Sequence, residues 1–243
     1  MSHTDFARAM LAARLAAVNE RLAAACRRAG RPRSEVTLVA ITKTVSVEVA
    51  ALLPGLGLGD LGESRPQELW RKAAVLLPVS AKTPGSPVRW HLVGHLQRNK
   101  VERTLPLVAC IHSVDSLRLL DALEEECRRS NRALPVLLEV NASGEASKQG
   151  FDVTEAPGLV PILSGLKQVR VSGLMTMAAL QAPEACRSTF VALRQLRDKL
   201  AKPLAGSHSI VHLSMGMSND FEIAIEEGAT LIRLGTVLFE GTT

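Results

Sequence analysis

Apolar residues recur along this chain in two alternating rhythms. Leu11, Leu15, Val18 and Leu22 fall at helical spacing, so residues 4–29 read as an amphipathic helix closed by Gly30 and Pro32. Short apolar or β-branched runs then alternate with helical stretches. Val36–Thr42 predicts a strand and Ser46–Leu53 a helix. Gly57–Leu61 reads as a weak strand, and Pro66–Leu77 as a helix with proline in its first turn. Strands are predicted at Val88–Val93, Ala109–Ser113, Pro135–Val140 and Val169–Leu174. The helices between them fall at Arg98–Leu105, Ser116–Asn131 and Glu155–Leu166. A long helix over Pro183–Lys202 follows, then strands at Ile210–Ser214 and Thr230–Leu234 around a helical Phe221–Glu227.

About eight strands alternating with helices fit a (β/α)8 barrel better than an open doubly wound sheet, though both need the alternation. The expected architecture is a single TIM-type barrel domain over residues 1–243, with residues 1–30 as an extra N-terminal helix packed on the barrel. Barrel ligands bind at the C-terminal ends of the strands, and phosphates commonly after the seventh and eighth.

The strand ends can be read with that in view. Val211–Asp220 and Leu231–Thr236 each leave a strand for small or hydroxyl-bearing residues: Ser214, Gly216 and Ser218, then Gly235 and Thr236. Small residues let backbone N–H groups approach an anion, and hydroxyls add donors. Together these loops predict a phosphate cup. Lys43 follows the first strand, where a lysine pointing into the mouth is partly desolvated and suited to Schiff-base chemistry; a surface lysine opening a loop is the other reading. Arg233 precedes the second anion loop and can meet a phosphate oxygen or a ring acceptor, or else bridge strands.

Composition narrows the field. With 243 residues and 47% hydrophobic content, the chain can bury one large core. The net charge is +5, and much of the excess is Arg8, Arg14, Arg21, Arg27, Arg28, Arg31 and Arg33. Only 3% of residues are aromatic and none is tyrosine, so base-stacking platforms are scarce. A solvated helix face is the expected role of the basic stripe, and no nucleic-acid partner is expected. Cys26, Cys110, Cys127 and Cys186 lack zinc spacing and read as reduced, buried thiols of a cytoplasmic protein. No run is long enough to span a membrane. Gly57-Leu-Gly-Asp-Leu-Gly62 fits G-x-G-x-x-G, but no helix opens inside it and no acid follows at the dinucleotide spacing. His91, His95, His112, His208 and His212 form no metal-binding pair, so structural roles and no metal are expected.

Several segments, taken in order, resemble one family, the pyridoxal phosphate homeostasis proteins. They are Val39-Ala-Ile-Thr-Lys43, Leu61-Gly-Glu-Ser-Arg-Pro-Gln-Glu68, Trp90-His-Leu-Val-Gly-His-Leu-Gln-Arg-Asn-Lys100 and Ser113-Val-Asp115. Ser147-Lys-Gln-Gly150, Gly173-Leu-Met-Thr-Met177, Leu213-Ser-Met-Gly-Met-Ser-Asn-Asp220 and Arg233-Leu-Gly-Thr236 complete the set, which covers nearly the whole chain. The resemblance implies a barrel similar to the N-terminal domain of alanine racemase. It implies pyridoxal 5′-phosphate (PLP) held as a Schiff base on Lys43. It assigns the phosphate to Ser214, Gly235 and Thr236, with backbone help around Met215 and Gly216. It turns Arg233 to the pyridine nitrogen and makes Asn141 and Met175 wall residues. Ser64 stands where the family usually has asparagine, and Leu61 where it has phenylalanine; the serine has a shorter reach toward the ligand.

The resemblance implies a binder that holds PLP and influences vitamin B6 and amino-acid balance, with apo PLP-dependent enzymes as possible recipients and no robust reaction of its own. The alternative is a PLP-dependent racemase or decarboxylase. A racemase of this type draws a second base from a tyrosine that the chain lacks, although His or Cys can substitute. A third reading is a barrel acting on another phosphorylated metabolite.

Overall fold

β-branched and apolar runs that can be buried on both faces suit parallel strands. In the computed structural model, which describes residues 3–80, 85–145, 149–179 and 182–241, they form such strands. Helix α1 (His3–Arg28) precedes β1 (Thr37–Ile41), α2 (Val47–Ala50), β2 (Asp60–Glu63) and α3 (Pro66–Ser80). Then come β3 (Arg89–Leu92), α4 (Val101–Thr104), β4 (Val108–Val114), α5 (Leu117–Arg129) and β5 (Leu134–Asn141). A two-residue strand, β6 (Phe151–Asp152), pairs only with the end of β5. It is followed by α6 (Val160–Gly165), β7 (Val169–Met175), α7 (Arg187–Leu204) and β8 (His212–Ser214). The described chain closes with α8 (Phe221–Glu226), β9 (Leu231–Leu234) and α9 (Thr236–Phe239).

β1 pairs with both β2 and β9, and β4 pairs with β5, so eight parallel strands close on themselves with β6 outside the ring. Alternation along each strand divides the side chains. Leu38, Ala40, Leu61, Trp90 and Leu92 join the large core beneath the helices. Val39, Ile41, Cys110, Leu137, Met175 and Leu231 form a small separate cluster. Gly62 makes room for it, since a Cβ there would lie 2.5 Å from Cδ1 of Ile41. Charged and polar groups are buried as well: Asp60, His91, His112, Ser214 and Arg233.

The arginine stripe has a packing role. Helix α1 buries Leu11, Val18, Leu22 and Ala25 and lies against α8 and α9. Arg21 Nε meets Glu222 at 2.8 Å, and its guanidinium lies 4.6 Å above the Phe221 ring. Arg28 Nε meets Glu226 at 2.7 Å, while Arg31 Nη1 donates to the carbonyls of Ile225 and Ala229, each at 3.0 Å.

Several predicted elements differ in extent. The second strand begins at Asp60 rather than Gly57, because Gly57 takes φ +84° to end a 3-10 turn. The G-x-G-x-x-G stretch is thus spent on a turn and a strand. The helix expected over Ser46–Leu53 keeps only four residues, capped by the Ser46 hydroxyl, which accepts from Val49 N–H. Arg98–Leu105 is one α-turn between two 3-10 segments, the second carrying Pro106. Pro157 and Pro161 leave a 3-10 segment and a six-residue helix in place of a helix over Glu155–Leu166. Ser147 and Lys148 lie outside the described residues.

Candidate ligand-binding site

A cavity of about 400 Å³ opens at the C-terminal mouth of the barrel between the ends of β1, β2, β8 and β9. The β1–β9 seam sets its geometry. Ala40 pairs with Leu234, so the chain beyond each strand leaves at the same level. Lys43 and Thr44 therefore stand on one side, and Gly235 and Thr236 on the other, with Ser64 after β2. The loop after β8 supplies Met217, Ser218, Asn219 and Asp220. Met177, Ala178 and Ala179, after β7, complete an apolar lip.

The two predicted anion loops meet. Val237 N–H donates to Ser218 Oγ at 3.3 Å, and Arg233 N–H donates to the Gly216 carbonyl at 3.0 Å. Gly216 must be glycine at this crossing. Its φ is +94°, and a Cβ would lie 2.6 Å from that of Ala224. Asp220 Oδ1 accepts from Met217 N–H at 2.6 Å and holds the turn. Among the described residues, the N–H groups of Ser218, Asn219, Gly235 and Thr236 have no partner within the chain, nor does the Thr236 hydroxyl. An unpaired cluster of donors on two touching loops is what an anion would satisfy.

Of the residues singled out from sequence, Lys43, Ser64, Ser218, Arg233, Gly235 and Thr236 line this cavity. The others lie elsewhere, for reasons of strand geometry. Ser214 is the last residue of β8 and its hydroxyl is fully buried, 2.8 Å from His112 Nδ1 and 2.6 Å from Arg233 Nη1. It is not free for a phosphate at the mouth. Met215 is buried in the core beneath the helices, and Gly216 serves the turn. Met175 belongs to the small apolar cluster below the mouth. Asn141 is occupied in its own loop, donating to the Glu145 carbonyl at 2.8 Å and accepting from Ser143 Oγ at 3.0 Å. Lys43 is exposed rather than desolvated. Sequence reasoning did not single out Thr44, Met177, Met217 or Asn219 as site residues. Position just past a strand end was the available signal for each.

Arg233 is 5% exposed, and its fork is held at two points, by Ser214 and by the Thr176 carbonyl at 2.9 Å. Burial lowers its guanidinium to about 10, against the opposing pull of Asp220 and Glu139, so it remains a cation at neutral pH. Glu139, on β5, is buried, and among the described residues no counter-ion is in hydrogen-bond contact with it. Burial, then the charge of Asp115, pushes its carboxyl up to about 7, while Arg233 and His95 oppose the rise. Behind Lys43 lies a buried ion pair: Lys72 Nζ meets both Glu63 Oε1 and the Thr42 carbonyl at 2.6 Å. Deeper in the barrel, ligand atoms of His91, Cys110 and His112 come within 4.8 Å of one another. All four imidazole nitrogens there are engaged in hydrogen bonds, and burial pushes the Cys110 thiol up to about 12. A larger cavity of about 560 Å³, beside His95, Arg98 and Arg118, shares no residue with the cup.

The structure is a closed parallel (β/α)8 barrel with a lysine after its first strand and unpaired donors after its last two, the place where barrels of this class commonly bind phosphate. The family model for the alanine racemase N-terminal domain matches residues 13–243. The chain belongs to the pyridoxal phosphate homeostasis protein family. Its relative of that name from Aquifex aeolicus (strain VF5) is 40% identical over 227 residues, 93% of this chain and 96% of the relative. The crystal structure of a protein from Bifidobacterium adolescentis superposes with TM-score 0.89 at 35% identity, covering 97% of this chain and 96% of that one. PipY of Synechococcus elongatus PCC7942, solved with PLP bound, superposes with TM-score 0.79 at 31% identity, covering 94% and 99%. Among the described residues, no helix is long and apolar enough to cross a membrane.

Proposed function

We propose that this chain binds PLP at the barrel mouth, in a Schiff base with Lys43, and serves intracellular PLP and amino-acid homeostasis. The observation that carries this reading is the meeting of Lys43 with two anion-accepting loops around one cavity of about 400 Å³. The PLP-bound relative has the same fold over most of its length.

The chain's residues fit such a ligand. The free N–H groups of Ser218, Asn219, Gly235 and Thr236, with the Thr236 hydroxyl, take the phosphate. Ser218, which lines the cup, replaces the buried Ser214 in that role. Arg233 keeps unspent N–H groups beside the cavity and presents a donor to the ring nitrogen, which leaves that nitrogen unprotonated. Bound PLP supplies an electrophilic aldehyde and an electron-accepting ring. A guanidinium at the ring nitrogen weakens the latter, which favours holding the cofactor over catalysis. The absence of tyrosine from the sequence points the same way. Four buried cysteines that form no disulfide among the described residues suit a reducing cytoplasm. Delivery of PLP to apo enzymes is a further part of this reading.

The protein mixed with PLP is expected to turn yellow, with a band near ~420 nm. Borohydride should then fix the cofactor to the peptide containing Lys43. An adduct on another lysine, or none, rejects the assignment. Steady racemisation or decarboxylation of a common amino acid would favour an enzyme instead.

A further inference from the structure

A chain of buried hydrogen bonds leads from Arg233 through the barrel interior. Arg233 Nη1 donates to Ser214 Oγ at 2.6 Å. Ser214 Oγ lies 2.8 Å from His112 Nδ1. His112 Nε2 lies 2.9 Å from His91 Nδ1, and His91 Nε2 lies 2.9 Å from Asp60 Oδ1. Arg89 closes the far end on Asp60, with contacts of 2.8 and 2.6 Å. These groups stand on β2, β3, β4, β8 and β9. In the ring, β5 and β7 separate β4 from β8, so the His112–Ser214 bond crosses the interior.

The ends of the chain fix its direction. A guanidinium only donates, and an ionised carboxylate only accepts. With Asp60 ionised, His91 donates from Nε2, and its Nδ1 as a neutral ring must accept. His112 then donates from Nε2 and accepts at Nδ1. The only donor left for that nitrogen is the Ser214 hydroxyl, whose oxygen already accepts from Arg233. Adding a proton to either imidazole would reverse at least one link and leave the Ser214 proton without an acceptor in the chain. Two further effects make Asp60 an acceptor and keep His112 uncharged. Burial works against the charge of Asp60, but the bonds from His91 and Arg89 outweigh it and hold the carboxyl below the usual range. Burial, with the charge of Arg233, pushes His112 well below the usual imidazole range.

We propose that His112, His91 and Asp60 are positioning residues for Arg233, forming a one-way hydrogen-bond chain that fixes which edge of the guanidinium faces the ligand ring and withholds the Ser214 hydroxyl from the cavity. The ligand half of this inference rests on the PLP reading above; the proton order does not.

Two experiments test it, and they fail separately. In the apo protein, long-range 1H–15N correlation spectra should show both His91 and His112 as neutral Nε2–H tautomers at neutral pH. An Nδ1–H tautomer or an imidazolium at either position overturns the order. In the second, PLP is compared with its 1-deaza analogue, in which carbon replaces the ring nitrogen. The wild-type protein should prefer PLP by about tenfold, the usual effect of one hydrogen bond to a charged group. His112→Leu should bring that preference to about twofold or less while binding the analogue as wild type does. His112→Asn, which keeps an acceptor near the Nδ1 position, should retain most of it. Equal weakening of both ligands in His112→Leu, as a general loosening would produce, overturns the positioning role. A wild-type protein that binds neither ligand rejects the PLP reading and leaves the proton order to the apo spectra.

Discussion

Glu139 projects from β5 among Asp115, His95 and Arg233, and its carboxyl is raised from an ordinary 4.5 to about 7. Between those values the unfolded chain has lost this proton while the folded chain keeps it. Unfolding then releases a proton, so this group's contribution to stability falls as pH rises from about 4.5 and levels off above about 7. The full swing is about 3 kcal/mol at 1.36 kcal/mol per pKa unit. Glu139→Gln keeps the shape and removes the titration. Denaturation measured from pH 5 to 8 should show the wild type losing ground to the variant up to neutrality and holding a constant gap beyond it. A gap that does not change with pH would refute the raised proton affinity. Single residues differed in how legible they were. Lys43, Gly235 and Thr236 could be placed because each lies just beyond a strand, where the next side chains reach the mouth. Ser214 could not, because it is still within β8 and its pleat turns it inward. The contacts of His91 and His112 were hidden because they join strands and cross a barrel, and no spacing within one segment encodes them.

Elements behind the mouth hold Lys43 in place. Lys72 on α3 is 1% exposed and ties Glu63 of β2 to the Thr42 carbonyl at the end of β1. Thr42 Oγ1 donates to the same Glu63 oxygen at 2.6 Å, while Glu63 Oε2 is buried with no partner among the described residues. Removing the cation alone strands a buried carboxylate, which typically costs about 3–5 kcal/mol, whereas replacing both partners with neutral groups costs far less. Lys72→Met should therefore lower the melting temperature by roughly 10 °C. The double variant Lys72→Met with Glu63→Gln should recover most of that loss in a thermal scan. A double variant no more stable than Lys72→Met would mean that packing, not the buried charge, sets the penalty. Strands and long helices were readable at this scale because their periodicity runs over many residues. The short helices α2, α4 and α6 were overextended because apolar spacing continues through segments that Pro54, Pro106 and Pro157 turn into 3-10 or irregular backbone.

Across the whole molecule, the cavity straddles the seam where the first strand meets the last. Lys43 and Ser64 come from the opening of the barrel and the cup from its end. Helix α1 reinforces the same region by tying its arginines to α8. The sequence predicted the alternation but not this use of the basic stripe, because the acids that answer it lie about two hundred residues away. A ligand that touches both sides of the seam should stabilise the fold by mass action. At one hundred times its dissociation constant the gain is about 2.7 kcal/mol, or roughly 5–10 °C in melting temperature for a domain of this size. PLP should give that rise, with amide exchange slowed most in the turn after β1 and in the loops after β8 and β9. Inorganic phosphate, which can occupy only the cup, should slow exchange in the β8 and β9 loops and leave the Lys43 turn unchanged. If both ligands protect the same amides to the same extent, Lys43 has no share in binding and the site is a phosphate cup alone.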